Sequence, residues 1–348
     1  MRAGKRAALR AEAGVRRMAD AVRRFSERFS TRWASRSDVD DAGSSPLWIV
    51  GHRGAPYKVV ENTLESCARA VDKEGANALE IDVCLTSDGV PVLWHDWDPN
   101  DTVALARQLG VEPGVRYAPT APRIWEDERC FVDELSLEQL RRCYGYSRKV
   151  LFFFQWRVSA HIPTFAEFVE WARTRSKLKA VFLDLKVPKD RAEFAVPLVR
   201  AMQQVLAAHS ASFRAVWMTP HTEVFAAIQA VAPDIDLCLD TELPPGIVRD
   251  PSRYSAVARA QQLNSCVAAV GRPVLTWSGW SIYQQLVADD MKSLAEGDAN
   301  AAKIDLLAWT FDSRSESRRM MELGVHGILT NRPARLLRLA KKAKRHLA

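Results

Sequence analysis

Two acids, Glu80 and Asp82, stand two residues apart in the apolar run "ALEIDV", and a second run close behind it ends in His95 and Asp96. Elsewhere the same residue types recur at the ends of apolar runs: His52 with Arg53, Asp184 with Lys186, Trp309, and Thr330 with Asn331. Residues two apart on a strand face the same side, so Glu80 and Asp82 point one way, as do Asp184 and Lys186. Three carboxylates brought together would repel one another and resist ionisation unless a cation joins them. Hard oxygen ligands suit a divalent cation such as Ca²⁺ or Mg²⁺. Histidines beside such an ion supply general acid–base catalysis. Arg53 and Lys186 suit an anionic substrate such as a phosphodiester. Glu80, Asp82 and Asp184 are therefore candidate metal ligands, His52 and His95 candidate proton carriers, and Arg53, Lys186 and Trp309 candidate substrate contacts.

Such a convergence needs a fold that gathers strand ends. From Leu47 onward, short apolar runs alternate with amphipathic segments. The runs are "LWIVGH", "ALEIDV", "VPVLWH", "AVFLDLK", "AVWMT", "DIDLCL", "LLAWTF" and "HGILT". Eight strands alternating with helices predict an α/β fold, the (β/α)8 barrel, whose site lies at the C-terminal ends of the strands. The first helix is expected to begin at Asn62 or Thr63, with Gly75 at its C-terminal end. Residues 97–163, after the third run, read as a long insertion, with "LSLEQLRRC" as a local helix. Its aromatic residues Trp97, Tyr117, Trp125, Phe152, Phe153, Phe154 and Trp156 either wall the pocket or form a small core of their own. Residues 240–303 form a second long connection.

The 348 residues are 47% hydrophobic and carry a net charge of +7. That charge is concentrated at the two ends. Residues 1–37 hold ten Arg and one Lys against three acids, and residues 332–348 hold seven basic residues and no acid. The body between is acidic, which argues against a nucleic-acid-binding domain. In residues 1–37, Val15, Met18, Val22, Phe25, Phe29 and Trp33 recur at helical spacing among arginines. This predicts a basic amphipathic helix capable of peripheral membrane contact, joined by a linker at 38–46 to a barrel domain at 47–348. The six cysteines form no CxxC pair, Cys84 and Cys238 read as buried thiols, and neither a spanning segment nor a secretory h-region is evident. The expected location is cytoplasmic.

The motifs HRG (His52), ENT (Glu61), E-x-D (Glu80), T-x-DG (Thr86), HD (His95), WT (Trp309) and TN-x-P (Thr330) fall in this order across about residues 47–335. In this the chain resembles the glycerophosphodiester phosphodiesterases. The resemblance implies a (β/α)8 barrel that hydrolyses glycerophosphodiesters to glycerol 3-phosphate and an alcohol with Ca²⁺ or Mg²⁺. It implies His52 and His95 as the acid–base pair, Glu80 and Asp82 as metal ligands, and Arg53 as a phosphate contact. It also implies that the insertion caps the substrate, a small-molecule glycerophosphodiester or lysolipid. The family's Glu-x-Lys on the fourth run is here Asp184-x-Lys186, which puts the third ligand one methylene short. Asp-x-Lys also resembles the related sphingomyelinase D toxins, which leaves as the alternative a phospholipase D-like activity on lysophospholipids or sphingolipids.

Overall fold

The computed structural model describes residues 46–149, 155–209, 211–242, 251–272, 277–297 and 304–348. The helix expected over 1–37, its linker up to residue 45, and Phe152, Phe153 and Phe154 lie outside these residues.

Among the described residues twelve strands are formed. In chain order they are β1 (Trp48–His52), β2 (Ala78–Leu85), β3 (Pro91–Leu93), β4 (Tyr117–Thr120), β5 (Gly145–Lys149) and β6 (Gln155–Val158). They continue with β7 (Ala180–Leu185), β8 (Arg214–Thr219), β9 (Asp236–Glu242), β10 (Val267–Gly271), β11 (Asp305–Trp309) and β12 (Gly327–Thr330). Strands β1, β2 and β7 to β12 are parallel neighbours in a ring that β1 closes by pairing with both β2 and β12. Helices run between them, so the fold is the expected (β/α)8 barrel.

One of the expected runs and one of the expected connections need correcting. "VPVLWH" supplies only β3, which pairs antiparallel with β2 and lies outside the ring. The reason is the connection: Thr86 to Val90 is a tight turn, with Gly89 at φ 76°. A parallel partner would need a crossover of a dozen or more residues. The eighth ring strand is instead β10, inside the segment read as the second long connection. Small residues fill it: Gly271 faces Trp309 on β11, and a Cβ there would lie 2.7 Å from the indole ring.

The ring strands alternate strictly. Trp48, Val50, Ala78, Ala180, Phe182, Val216, Met218, Cys238, Val267, Ala269, Leu307 and Leu329 form one buried cluster in the lumen. Their neighbours Ile49, Leu79, Ile81, Val83, Val181, Leu183 and Ile328 face the surrounding helices. The same period of two carries His52, Glu80, Asp82 and Asp184 into the lumen one step above that apolar plug. Cys67, Cys84 and Cys238 are buried, and all six cysteines are free thiols.

The first helix, α1 (Leu64–Ala68), begins where the sequence places it: Thr63 caps it, accepting from the Ser66 amide. It continues as a wider turn over Arg69–Lys73, and Gly75 closes it at φ 75°. Between β3 and β7 the chain forms helix α2 (Thr102–Gln108), helix α3 (Leu137–Cys143) with its Ser136–Gln139 capping box, and a separate antiparallel sheet β4-β5-β6. This layer has its own core of Trp94, Val132, Leu135, Leu140, Tyr144 and Tyr146, on which Trp97 and Tyr117 also pack. Trp125 and Trp156 are exposed. No helix among the described residues is long and apolar enough to cross a membrane.

Candidate active site

At the C-terminal end of β1 the backbone turns sharply, with Arg53 at φ 51° in the left-handed region. The turn sends the Arg53 amide to Glu80 Oε2 at 2.8 Å. It aims the guanidinium at three acids: Nε at Asp82 Oδ2 (3.0 Å), and Nη1 at Glu61 Oε2 (3.0 Å) and Glu112 Oε1 (2.9 Å). His52 turns the other way, with Nδ1 2.8 Å from Asn331 Oδ1 and Nε2 3.9 Å from Glu80 Oε2. The Asn331 amide nitrogen donates to Asp312 Oδ2 at 2.8 Å, so its oxygen faces His52 and Nδ1 carries the proton. Thr330 Oγ1 and the backbone N–H of Asn331 both donate to Asp312 Oδ1, which locks the pair. Burial and the adjacent Arg53 lower the His52 pKa to about 4, leaving Nε2 a free acceptor at neutral pH.

Neighbouring register puts the acids together: Asp82 pairs with Asp184, and His52 with Glu80. One carboxylate oxygen each from Glu80, Asp82 and Asp184 lies within 4.8 Å of the others. Burial pushes the Glu80 carboxyl well above its usual range, and Asp82 and Asp184 push it further. Burial likewise raises Asp184. Burial also opposes the Asp82 carboxylate, but Lys186, Arg53 and the Asn62 amide outweigh it and hold its pKa down. Asn62, at φ 52°, donates to Asp82 Oδ2 at 2.7 Å.

These residues fit a hard divalent cation on two grounds. Glu80 Oε1 is buried with no hydrogen-bond partner, a position that costs about 1–3 kcal/mol when left unfilled. Lys186 Nζ lies 3.0 Å from Asp82 and 2.6 Å from Asp184, so positive charge is already drawn into the cluster.

His95 follows β3. Its Nδ1 is 2.6 Å from Asp96 Oδ1, and that oxygen also receives Arg107 Nε at 2.9 Å. Burial lowers the His95 pKa well below its ordinary value, and Arg53, Lys186, Arg107 and His52 add to the effect. Burial pushes the Asp96 carboxyl up to about 6.

The sequence-predicted residues His52, Arg53, Glu80, Asp82, His95, Asp184 and Lys186 thus belong to one neighbourhood. Lys186 reaches the acids, and Trp309 donates from Nε1 to Asp240 at 2.6 Å. Sequence reasoning passed over Glu61, Asn62, Asp96, Arg107, Glu112, Asp312 and Asn331 as site residues. Four of these were in view, since Glu61, Asn62, Asp96 and Asn331 sit inside the quoted motifs. Arg107, Glu112 and Asp312 carried no local signal.

The model of the glycerophosphoryl diester phosphodiesterase family matches residues 52–335. Glycerophosphodiester phosphodiesterase domain-containing protein 4 of Macaca fascicularis is 28% identical over 203 residues, which cover 56% of this chain and 30% of that protein. This chain therefore spans less than a third of that relative's length. A solved structure from Silicibacter pomeroyi DSS-3, provisionally named a glycerophosphoryl diester phosphodiesterase, superposes with a TM-score of 0.65 at 20% identity, over 88% of this chain and 97% of that one. An Oleispira antarctica phosphodiesterase in complex with the product sn-glycerol-3-phosphate gives 0.57 at 20% identity, over 85% and 96%. At these identities the two structures share the fold.

Proposed function

Since the chain belongs to the glycerophosphoryl diester phosphodiesterase family, we propose that it hydrolyses glycerophosphodiesters to glycerol 3-phosphate and an alcohol, with His52 and His95 moving the protons. The observation that carries this reading is the meeting of two half-buried histidines, Arg53 and the Glu80–Asp82–Asp184 cluster at one end of one barrel.

Glu80, Asp82 and Asp184 would hold a Ca²⁺ or Mg²⁺ ion, whose positive charge would offset the negative charge that builds on the phosphoryl oxygens. Lys186 shares those acids and tunes their charge. Arg53 adds a fixed cation beside the phosphoryl group, held in place by Glu61, Asp82 and Glu112. His52 and His95 each commit Nδ1 to a protein partner, which leaves each Nε2 for substrate. One takes the proton of the attacking hydroxyl, from water or the neighbouring glycerol oxygen, and the other protonates the departing alcohol. Trp309, held by Asp240 beside Gly271, is our candidate for a substrate contact. The family match is to the phosphodiesterases and gives no support to the phospholipase D-like alternative.

The test is glycerol 3-phosphate release by the purified full chain from glycerophosphocholine, glycerophosphoethanolamine and glycerophosphoinositol, with lysophosphatidylcholine beside them. Release from at least one glycerophosphodiester, abolished by chelation and restored by Ca²⁺ or Mg²⁺, is expected. Turnover of the lysolipid alone would overturn the reading. Peripheral membrane contact through residues 1–37 is proposed separately. Co-sedimentation with anionic vesicles should fall when the chain is started at Ser44.

A further inference from the structure

Arg107 is 3% exposed, although it projects from the short helix α2 in the layer between β3 and β7. Every nitrogen of its guanidinium is engaged. Nε donates to Asp96 Oδ1 at 2.9 Å, Nη2 pairs with Glu61 Oε1, and Nη1 pairs with Glu112 Oε2. A planar fork can hold three acids in a fixed relation, which an ammonium cannot.

Each of those acids leads on to the site. Asp96 Oδ1 is the same oxygen that holds His95 Nδ1. The opposite oxygens of Glu61 and Glu112 both hold Arg53 Nη1. The backbone of this corner is fixed as well, because Trp94 Nε1 donates to the Asp96 carbonyl at 3.0 Å. Asp96 Oδ2 is buried with no hydrogen-bond partner. The orientation of this carboxylate thus depends on its one shared oxygen.

We propose that Arg107 is a positioning residue for His95: by gripping Asp96 it fixes the imidazole with Nδ1–H on Asp96 and Nε2 turned to the substrate, so the inserted layer completes the acid–base pair. The proposal rests on the function argued above. The competing account is that Arg107 only fastens the inserted layer to the barrel. Loss of a partner from a buried ion pair would then lower stability and leave turnover of the folded protein alone.

The experiment compares the full wild-type chain with Arg107→Lys and Arg107→Gln, each alone and combined with Asp96→Asn, by steady-state kinetics on glycerophosphocholine. It also includes long-range nitrogen–proton NMR of ¹⁵N-histidine-labelled protein. Arg107→Lys is expected to lower kcat about 10- to 100-fold, in the range of a misplaced catalytic group, with KM within about threefold. The double variants should be no worse than Asp96→Asn alone, because both act through one oxygen. The wild-type spectrum should show His95 protonated at Nδ1, with mixed tautomers in Arg107→Lys. Losses that multiply, or folded Arg107 variants with unchanged kcat, would overturn the proposal. Should neither variant fold, the wild-type spectrum decides: a proton on Nε2 of His95 rejects the proposal. A wild type inactive on every glycerophosphodiester refutes the proposed function instead, and the tautomer remains readable in that case.

Discussion

The two histidines lie close enough to influence each other's charge, yet different parts of the chain hold them. His52 is built by the barrel alone: its Nδ1 rests on a neutral amide, Asn331, fixed by Asp312 just beyond β11. His95 rests on a carboxylate, Asp96, fixed by Arg107 from the inserted layer. The Asn331 hydrogen bond favours the charged form of His52, but burial and Arg53 outweigh it, and at His95 burial and the surrounding cations hold the pKa down despite the carboxylate partner. The difference teaches that one half of the proton machinery belongs to the barrel and the other to the layer inserted between β3 and β7. A similar contrast separates the acids. Glu61, Asp96 and Glu112 are neutralised by arginines, whereas Glu80, with its unpartnered oxygen, sits among acids that share only Lys186 and one edge of Arg53.

The acidic contrast is the easiest to break. Chelation should abolish turnover, since hard-ligand acids without their cation repel one another. Glu80→Gln and Asp82→Asn should weaken Ca²⁺ or Mg²⁺ binding measured by calorimetry. Asp184→Glu should retain more activity than Asp184→Ala. Full turnover in protein shown metal-free by elemental analysis would collapse the distinction between the two groups of acids.

Next comes the histidine pair. His52→Ala and His95→Ala should each lower kcat by about 10²–10⁴-fold with the circular dichroism spectrum unchanged. If one variant keeps near-normal turnover, the acid–base assignment of that residue is wrong. A gentler probe addresses the barrel-held side. Asn331→Ala removes the acceptor for His52 Nδ1 and should cost about 10- to 100-fold in kcat, by freeing the ring, with little change in KM. An effect much smaller than that of Arg107→Lys would mean that the inserted layer matters more to proton transfer than the barrel does.

How much of this was legible before the structure follows from where each signal resides. Glu80, Asp82 and Asp184 were readable because strand periodicity converts sequence spacing directly into a shared face. The barrel was readable because alternation of strands and helices is a local property. Strand β10 was not, since "VAAVG" lacks bulk, and it lacks bulk because the Trp309 ring fills the lumen there. Strand β3 was misread as a ring strand by its composition, although the five-residue turn before it forbade a parallel partner. Arg107 and Glu112 were invisible for another reason. Besides nearer contacts, Arg107 reaches 46 residues back to Glu61 and Glu112 reaches 59 residues back to Arg53, and no local pattern encodes which carboxylate an arginine will reach.

A carboxylate remote from the site sharpens the contrast among acids. Asp290, in the helix Trp277–Glu296, is buried and accepts from Ser255 Oγ and from the Ala256 amide at 3.1 Å. Burial pushes its pKa up to about 6, and no cationic side chain is among the causes of the shift. The folded value lies above the ordinary 3.8, so between these values the native state binds more protons than the unfolded one. Its contribution to stability is therefore greatest at low pH and is lost as pH rises through about 6. From pH 4.5 to 7.5 this loss amounts to about 2 kcal/mol at 1.36 kcal/mol per unit. Asp290→Asn removes the titration, so in urea denaturation the variant should gain about that much on the wild type over this range. The gain should be the same with chelator or with Ca²⁺ present, because Asp290 takes no part in the cation site. Over the same range the stability attributable to Glu80 should change on adding the ion, since the ion removes the reason for its raised pKa. A gain for Asp290→Asn that depends on Ca²⁺, or that shrinks as pH rises, would show that its carboxylate is coupled to the site after all.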